Sequence, residues 1–236
     1  MKYEAVSFSK AGRSKPNEDS TLIKELGDSA IVLAVADGMG GKPGGAIASK
    51  TAVEVISSLV DKDFGISVES LFEEVKKNLA LKGDEMKELR EMATTLSLVF
   101  IKDKQAVVGH VGDCRIYHLR ANGLVSRTKD QTEVQRLIDD GILSKQRAQN
   151  YHRKNILLSV MNAADDYTLQ LDSFGLESGD RLVLLTDGAH SLIQKNEMRD
   201  ISVNAKSMTN FISEIKNTIE SRKIRDDYSV VACEVK

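Results

Sequence analysis

Three aspartates stand at the ends of the most apolar stretches of this chain. Asp37 closes IVLAVADG, Asp187 closes RLVLLTDG, and Asp226 with Asp227 opens the last apolar run in RDDYSVVACEV. An ionised carboxylate beside such a run is costly unless something pairs with it. No run of arginines lies near Asp37 or Asp187, so a bound cation is the natural partner. No Cys or His stands at ligand spacing, and oxygen-only donors select a hard ion such as Mg²⁺ or Mn²⁺ over zinc. Asp-Gly is also a common hairpin corner. The repetition of apolar strand, Asp and Gly, with a carboxylate at the mouth of a third strand, favours the cation.

Asp37 opens a glycine-dense loop, DGMGGKPGGA, ahead of a helical pattern. The loop departs from the phosphate-binding spacing G-x-x-x-x-G-K-[ST], because Pro43 follows Lys42. A metal held by Asp37, with the Gly38 carbonyl as a further oxygen, is the better reading. More acids stand in Asn17-Glu18-Asp19, preceded by Arg13 and Lys15, and in the turn Gly112-Asp113-Cys114-Arg115. Each alone also suits a solvated loop. Together they suit a site that holds cations and a phosphate at once.

The elements that must position these residues are short. Strand patterns run over Tyr3–Phe8, Ala30–Val35, Leu96–Ile101, Ala106–Val111, Arg115–Leu119, Arg181–Leu185 and Tyr228–Val235. Helical stripes fall on Ala48, Ala52, Val55, Ile56 and Leu59, on Leu71, Phe72, Val75 and Leu79, and on Met208, Phe211, Ile212, Ile215 and Ile219. Lys102-Asp103-Lys104 and Ala121-Asn122-Gly123 read as tight turns, and strands joined by tight turns are antiparallel. The expectation is therefore an α+β fold with antiparallel sheet packed against helices. One domain spans 1–236, with a surface helix pair or flap near 130–155.

Composition excludes several classes. Lys+Arg 33 against Asp+Glu 35 gives a net charge of −2, which argues against a protein built to neutralise nucleic acid. Apolar residues at 41% and only 2 Pro exclude a disordered or collagen-like chain. No apolar run is long enough to cross a bilayer, and the N-terminus lacks a secretion-signal core. Cys114 and Cys233 fit neither a disulfide framework nor a zinc site and read as core filling. A cytoplasmic, monomeric protein with no nucleic-acid or membrane partner is expected. His110 and His118 read as structural. His190 reads as a surface residue at a helix start or, alternatively, as a proton donor. His152 lies in a basic segment facing substrate or solvent.

Taken in order, the motifs resemble the metal-dependent protein serine/threonine phosphatases of type 2C, in the form of a bare bacterial-type catalytic domain. The matching segments are NEDS (17–20), VADGMGG (35–41), ATTLSLVFI (93–101), GHVGDCRIY (109–117), TKDQT…LIDDGILS (128–144), GDRLVLLTDG (179–188) and RDDYSVV (225–231). The resemblance implies a central antiparallel β-sandwich flanked by helices on both sides, a four-layer α-β-β-α arrangement. It implies two Mn²⁺ or Mg²⁺ ions at one edge of the sandwich. Asp37 would bridge them, the Gly38 carbonyl would help hold one, and Asp187 and Asp226 would hold the other. Glu18 and Asp19 would act through waters, and Asp113 would serve a third, weaker ion.

The implied chemistry is hydrolysis of phosphoserine and phosphothreonine in proteins. A water or hydroxide between the two ions attacks, with no phosphoenzyme, and a cognate serine/threonine kinase is the implied counterpart. The family's phosphate-binding Arg stands four residues before the acid matching Glu18, a place held here by Ser14. Arg13 takes the role with a one-residue bulge, and Lys15 is its rival. Lys42 stands where the family has a proton-donating His, Ala46 where it has Glu, and Asp227 where it has Asn. These departures motivate the alternative of a catalytically weak pseudophosphatase that binds phosphoproteins or a partner. A third reading keeps the hydrolysis but takes a small phosphate ester.

Overall fold

The run IVLAVA forms a strand buried on both faces, and the layers follow from what covers each face. The computed structural model describes residues 2–12, 16–27, 29–39, 44–62 and 65–236, with Lys62 by its backbone only. In chain order the strands are β1 (Tyr3–Lys10), β2 (Asp19–Leu26), β3 (Ala30–Asp37), β4 (Ala93–Thr94), β5 (Leu96–Lys102) and β6 (Gln105–Val111). Then come β7 (Arg115–Arg120), β8 (Gly123–Ser126), β9 (Met161–Asn162), β10 (Gln170–Gly175), β11 (Arg181–Leu185) and β12 (Tyr228–Val235). The helices are α1 (Gly45–Lys62), α2 (Val68–Glu85), α3 (Glu133–Asp139), α4 (Lys145–Ala148), α5 (Asp187–His190), α6 (Lys195–Asn204) and α7 (Met208–Glu220).

Two five-stranded sheets form, in the orders β1-β12-β11-β7-β8 and β10-β6-β5-β3-β2, and their pairings are antiparallel. Side chains alternate across a strand. Ile31, Leu33 and Val35 of β3 therefore point at the other sheet, where they share a core with Ile116, Leu182, Leu184 and Val231. Val32, Ala34 and Ala36 point outward and meet Ala48, Ala52 and Ile56 of α1 and Phe72 of α2. On the far side, Val183, Leu185, Val230 and Ala232 are covered by Phe211, Ile215 and Ile219 of α7 and Met198 of α6. This is the expected sandwich with helices on both outer faces. All three helical stripes read from the sequence lie in these cores.

Local chemistry sets the ends of the elements. Ser67 Oγ accepts the Ser70 N–H at 3.1 Å to open α2, and Ser207 does the same for Asn210 at α7. In the β5–β6 hairpin Asp103 and Lys104 take φ of 49° and 66°, the conformation a two-residue turn demands. Besides the two-residue β4 and β9, two strands carry too little apolar signal to be read from the sequence. The edge strand β2, DSTLIKEL, is mostly half-buried, and β10, QLDSFG, alternates half-buried with exposed.

The expected structural histidines are buried. His110 donates from Nε2 to the Lys129 carbonyl at 3.2 Å, so its Nδ1 accepts from Ser97 Oγ at 2.7 Å. His118 stacks on Phe174 and lies 3.0 Å from Asp180. Residues near 130–155 contain α3 and α4, neither with a buried residue. No described helix is long and apolar enough to cross a membrane.

Candidate active site

The β2–β3 register sets Asp19 opposite Asp37. Asp19 is 8% exposed, and its Oδ2 accepts from Thr186 Oγ1 at 2.8 Å and Ser229 Oγ at 2.7 Å. Its Oδ1 is buried with no hydrogen-bond partner. Burial raises the Asp19 pKa to about 7, with Asp227 and Asp187 adding to it and the two hydroxyls opposing. Asp37 sits at the end of β3, its backbone N–H bonded to Thr95 Oγ1 at 3.0 Å and its carbonyl receiving Thr94 Oγ1 at 2.9 Å. Burial, then the charges of Asp19, Asp187, Asp113 and Asp226, push its carboxyl well up.

Immediately beyond, Gly38 is buried, bonded through its N–H to the Glu18 carbonyl at 3.0 Å. A Cβ there would lie 2.3 Å from the Gly45 carbonyl oxygen, so only glycine fits this crossing. The Glu18 carboxylate accepts the backbone N–H of Ala46 at the start of α1, where the helix dipole favours an anion. Burial and the charges of Asp227 and Asp226 still leave its pKa raised.

Asp187 and Asp226 come together through a second close crossing. Thr186 leaves β11 with its N–H bonded to the Ser229 carbonyl of β12 and stands just before α5, whose first residue is Asp187. A Cβ on Gly188 would stand 2.0 Å from the Asp227 carbonyl oxygen, so glycine is what lets α5 approach the entry to β12. Burial and the Asp226 charge raise the Asp187 pKa, against a hydrogen bond with the Asp37 carboxyl. Asp226 is exposed at the mouth of a cleft of about 460 Å³ that Asp187 also lines. The final strand starts at Tyr228, so Asp226 and Asp227 lie just before it.

Asp113 occupies the β6–β7 turn, half-buried, with its pKa raised to about 8 by burial and then by Asp187 and Asp130. Its carbonyl accepts the Nε2–H of His190 at 3.0 Å. His190 therefore differs from the surface role expected of it: it ends α5 half-buried, and burial lowers its pKa to about 4. A neutral ring with its N–H committed to a carbonyl is poorly placed to donate a proton. Alongside, Arg115 holds Asp130 through two bonds of 2.9 and 2.7 Å.

Six of the sequence-derived acids thus sit on one rim or next to it: Glu18, Asp19, Asp37, Asp113, Asp187 and Asp226. Arg13, Lys15 and Lys42 lie outside the described residues. Among the described residues no group of three or more His, Cys, Asp or Glu side chains is already arranged to hold a metal ion. The donor set nonetheless suits a divalent cation. It is oxygen-only, its carboxyls raise one another's pKa, and the buried Asp19 Oδ1 lacks any partner. Sequence reasoning assigned no role to Thr95, Thr186 and Ser229, small hydroxyls whose roles depend wholly on which strands meet. Cys114 and Cys233 are free and buried, and burial pushes the Cys233 thiol up to about 12 and Cys114 well above its usual value.

Asp227 is a buried staple. Its Oδ1 accepts from the Gly12 N–H at 2.7 Å and its Oδ2 from the Glu18 N–H at 2.8 Å, closing both ends of the segment that carries Arg13 and Lys15. A carboxylate can accept both bonds; an amide would turn an NH₂ donor against one of the two N–H groups. Asp227→Asn, although Asn is the usual family residue, is expected to cost about 1–3 kcal/mol. The KM for a phosphopeptide should rise with it. A thermal melt and a Michaelis–Menten comparison check this, and an unchanged melting temperature with unchanged KM would refute the staple.

The chain matches the protein phosphatase 2C family over residues 9–227. It is 32% identical to the serine/threonine phosphatase stp of Listeria welshimeri over 203 residues, 82% of this chain and 80% of that protein. It is 33% identical to the protein phosphatase PhpP of Streptococcus pneumoniae over 186 residues, 76% and 74% of the two chains. Its fold superposes on the Mycobacterium tuberculosis serine/threonine phosphatase PstP/Ppp with a TM-score of 0.89 at 23% identity, covering 100% of both chains. It also superposes on the PstP catalytic domain in complex with two manganese ions, at 0.83 and 23%, covering 99% of each. With acids from five separate segments gathered on one edge of a matching sandwich, the chain belongs to the protein phosphatase 2C family of protein serine/threonine phosphatases.

Proposed function

We propose that this chain hydrolyses phosphoserine and phosphothreonine in proteins with two Mn²⁺ or Mg²⁺ ions at the carboxylate rim and without a phosphoenzyme. The observation that carries this is the cluster of carboxyls with raised pKa values around Asp37, together with the partnerless Asp19 Oδ1. Asp37 would bridge the ions, with the Gly38 carbonyl beside it, Asp187 and Asp226 on the other flank, and Glu18 and Asp19 acting through water. Asp113 would serve a third ion. The manganese pair in the related PstP structure supports the choice of metal. Bound ions would supply positive charge for the phosphoryl oxygens and acidify a water for in-line attack.

The chain's own residues do the rest. Thr186 and Ser229 fix the Asp19 carboxyl, and the hydrogen bonds at Thr94 and Thr95 fix the backbone of Asp37. Arg13, with Lys15 as rival, would hold the phosphate, and Lys42 would meet the leaving group. Both cysteines are buried with raised pKa values, so neither is a thiolate nucleophile, in keeping with attack by water. The free thiols also suit a reducing, cytoplasmic setting, where a monomer would act opposite a serine/threonine kinase.

The test is phosphate release from a phosphothreonine peptide with Mn²⁺, with and without EDTA. Turnover abolished by the chelator is expected, and release would dispose of the pseudophosphatase alternative. Turnover indifferent to EDTA would sink the proposed mechanism.

A further inference from the structure

The cleft over Asp187 and Asp226 has cations in two of its walls. Lys154 and Asn155 reach it from the connection between α4 and β9, and Lys223 and Arg225 from the connection between α7 and β12. All three cations are exposed, and among the described residues none has an ion-pair partner.

Both walls are built the same way, from an Arg-Lys pair in which the arginine is tied to a carboxylate on a neighbouring helix. Arg153 grips Glu133 at the start of α3, with Nη2 at 2.7 Å and Nε at 3.1 Å from its oxygens. Tyr151 donates to the same carboxylate at 2.7 Å, and the Glu133 N–H bonds the Ile156 carbonyl at 2.9 Å. On the other wall, Arg222 bonds the Leu192 carbonyl and pairs with Glu197 of α6. Each anchor fixes the backbone and leaves the next lysine, Lys154 or Lys223, free at the cleft. Two anchored connections that present unpaired charge beside the reacting centre are suited to an anionic ligand.

We infer that this cleft selects phosphopeptides whose residues flanking the phosphorylated one are acidic, through Lys154 on one wall and Lys223 and Arg225 on the other. The inference rests on the phosphatase reading above. A peptide advances about 3.3 Å per residue, so the neighbours of a phosphoresidue seated over Asp187 and Asp226 lie within a cleft of this size. Carboxylates, or a second phosphate, at those positions would meet the three cations. Lysines there would be repelled.

The experiment compares phosphothreonine peptides with Glu, Ala or Lys flanks on the full chain with Mn²⁺, reading both kcat/KM and binding by fluorescence anisotropy. The expected order is Glu, Ala, Lys, with about a tenfold or larger span at low ionic strength that shrinks as salt rises. Lys154→Glu combined with Lys223→Glu, two exposed positions whose folding a thermal melt verifies, should reverse the order. Equal kcat/KM and equal binding across the three peptides in the wild-type protein would overturn the inference while leaving the phosphatase reading intact. Preferential binding of the Glu-flanked peptide without phosphate release would do the opposite.

Discussion

Replacing Asp37 by asparagine should lower phosphopeptide hydrolysis by at least about a thousandfold and yet raise the melting temperature of the metal-free protein. The two effects have one cause. Asp37 is surrounded by Asp19, Asp187, Asp113 and Asp226, and burial with those charges pushes its pKa well up. Without a cation, a carboxyl in that place is a cost the fold carries. An amide of the same shape removes the charge, keeps the backbone bonds to Thr94 and Thr95, and should raise the metal-free melting temperature by a few degrees. Under saturating Mn²⁺ the order should reverse, because the wild-type protein gains stability from the ligand and the variant gains less. Activity within tenfold of wild type would refute the assignment of Asp37. A fall in metal-free stability would refute the electrostatic argument independently. Asp187→Asn should behave alike in activity, since Asp187 shares the rim and hydrogen-bonds Asp37.

The buried strands and helices were legible because each carries a full period of apolar residues over enough length. Thus β3, β11, β12, α1, α2 and α7 could be read from the spacing of Val, Ile, Leu, Ala, Met and Phe. The edge strands β2 and β10 could not: Ser, Thr, Lys and Glu interrupt the apolar residues of the half-buried β2, and β10 gives every second position to solvent. Missing β2 mattered, because its register with β3 is what sets Asp19 across from Asp37. The acids themselves were legible as types at strand ends. Their supports were not. Thr186 and Ser229 are unremarkable in sequence and acquire meaning only because β11 and β12 pair, and the Asp227 staple joins residues 209 and 215 positions apart. The role of His190 is illegible in the sequence for the same reason: its partner, the Asp113 carbonyl, is 77 residues away.

The metal-free protein should lose stability as pH rises from about 5 to 8, and Mn²⁺ should cancel that loss. Burial, reinforced by neighbouring acids, raises Asp19 to about 7 and Asp113 to about 8 from a usual value of 3.8. Between those limits the folded state keeps protons that the unfolded chain has released. Linkage then makes stability fall with rising pH across that window, the reverse of an ordinary salt-bridged carboxylate. Asp130 is the contrasting case. Against the pull of burial, its bonds to Arg115 hold its pKa down, so its contribution is lost only as pH falls into the acid range. A stability maximum near about pH 5 is the expected compromise. Divalent ions bind the deprotonated carboxyls, so their uptake should release protons and tighten with pH. The gain in melting temperature on adding Mn²⁺ should therefore be small near pH 5 and on the order of 5–10 °C near pH 8. Thermal melts in EDTA and in Mn²⁺ across this range, with calorimetric titration in buffers of different ionisation enthalpy, measure both halves. A metal-free protein that grows steadily more stable from pH 5 to 8, or a Mn²⁺ gain independent of pH, would show that these carboxyls do not sit together as described.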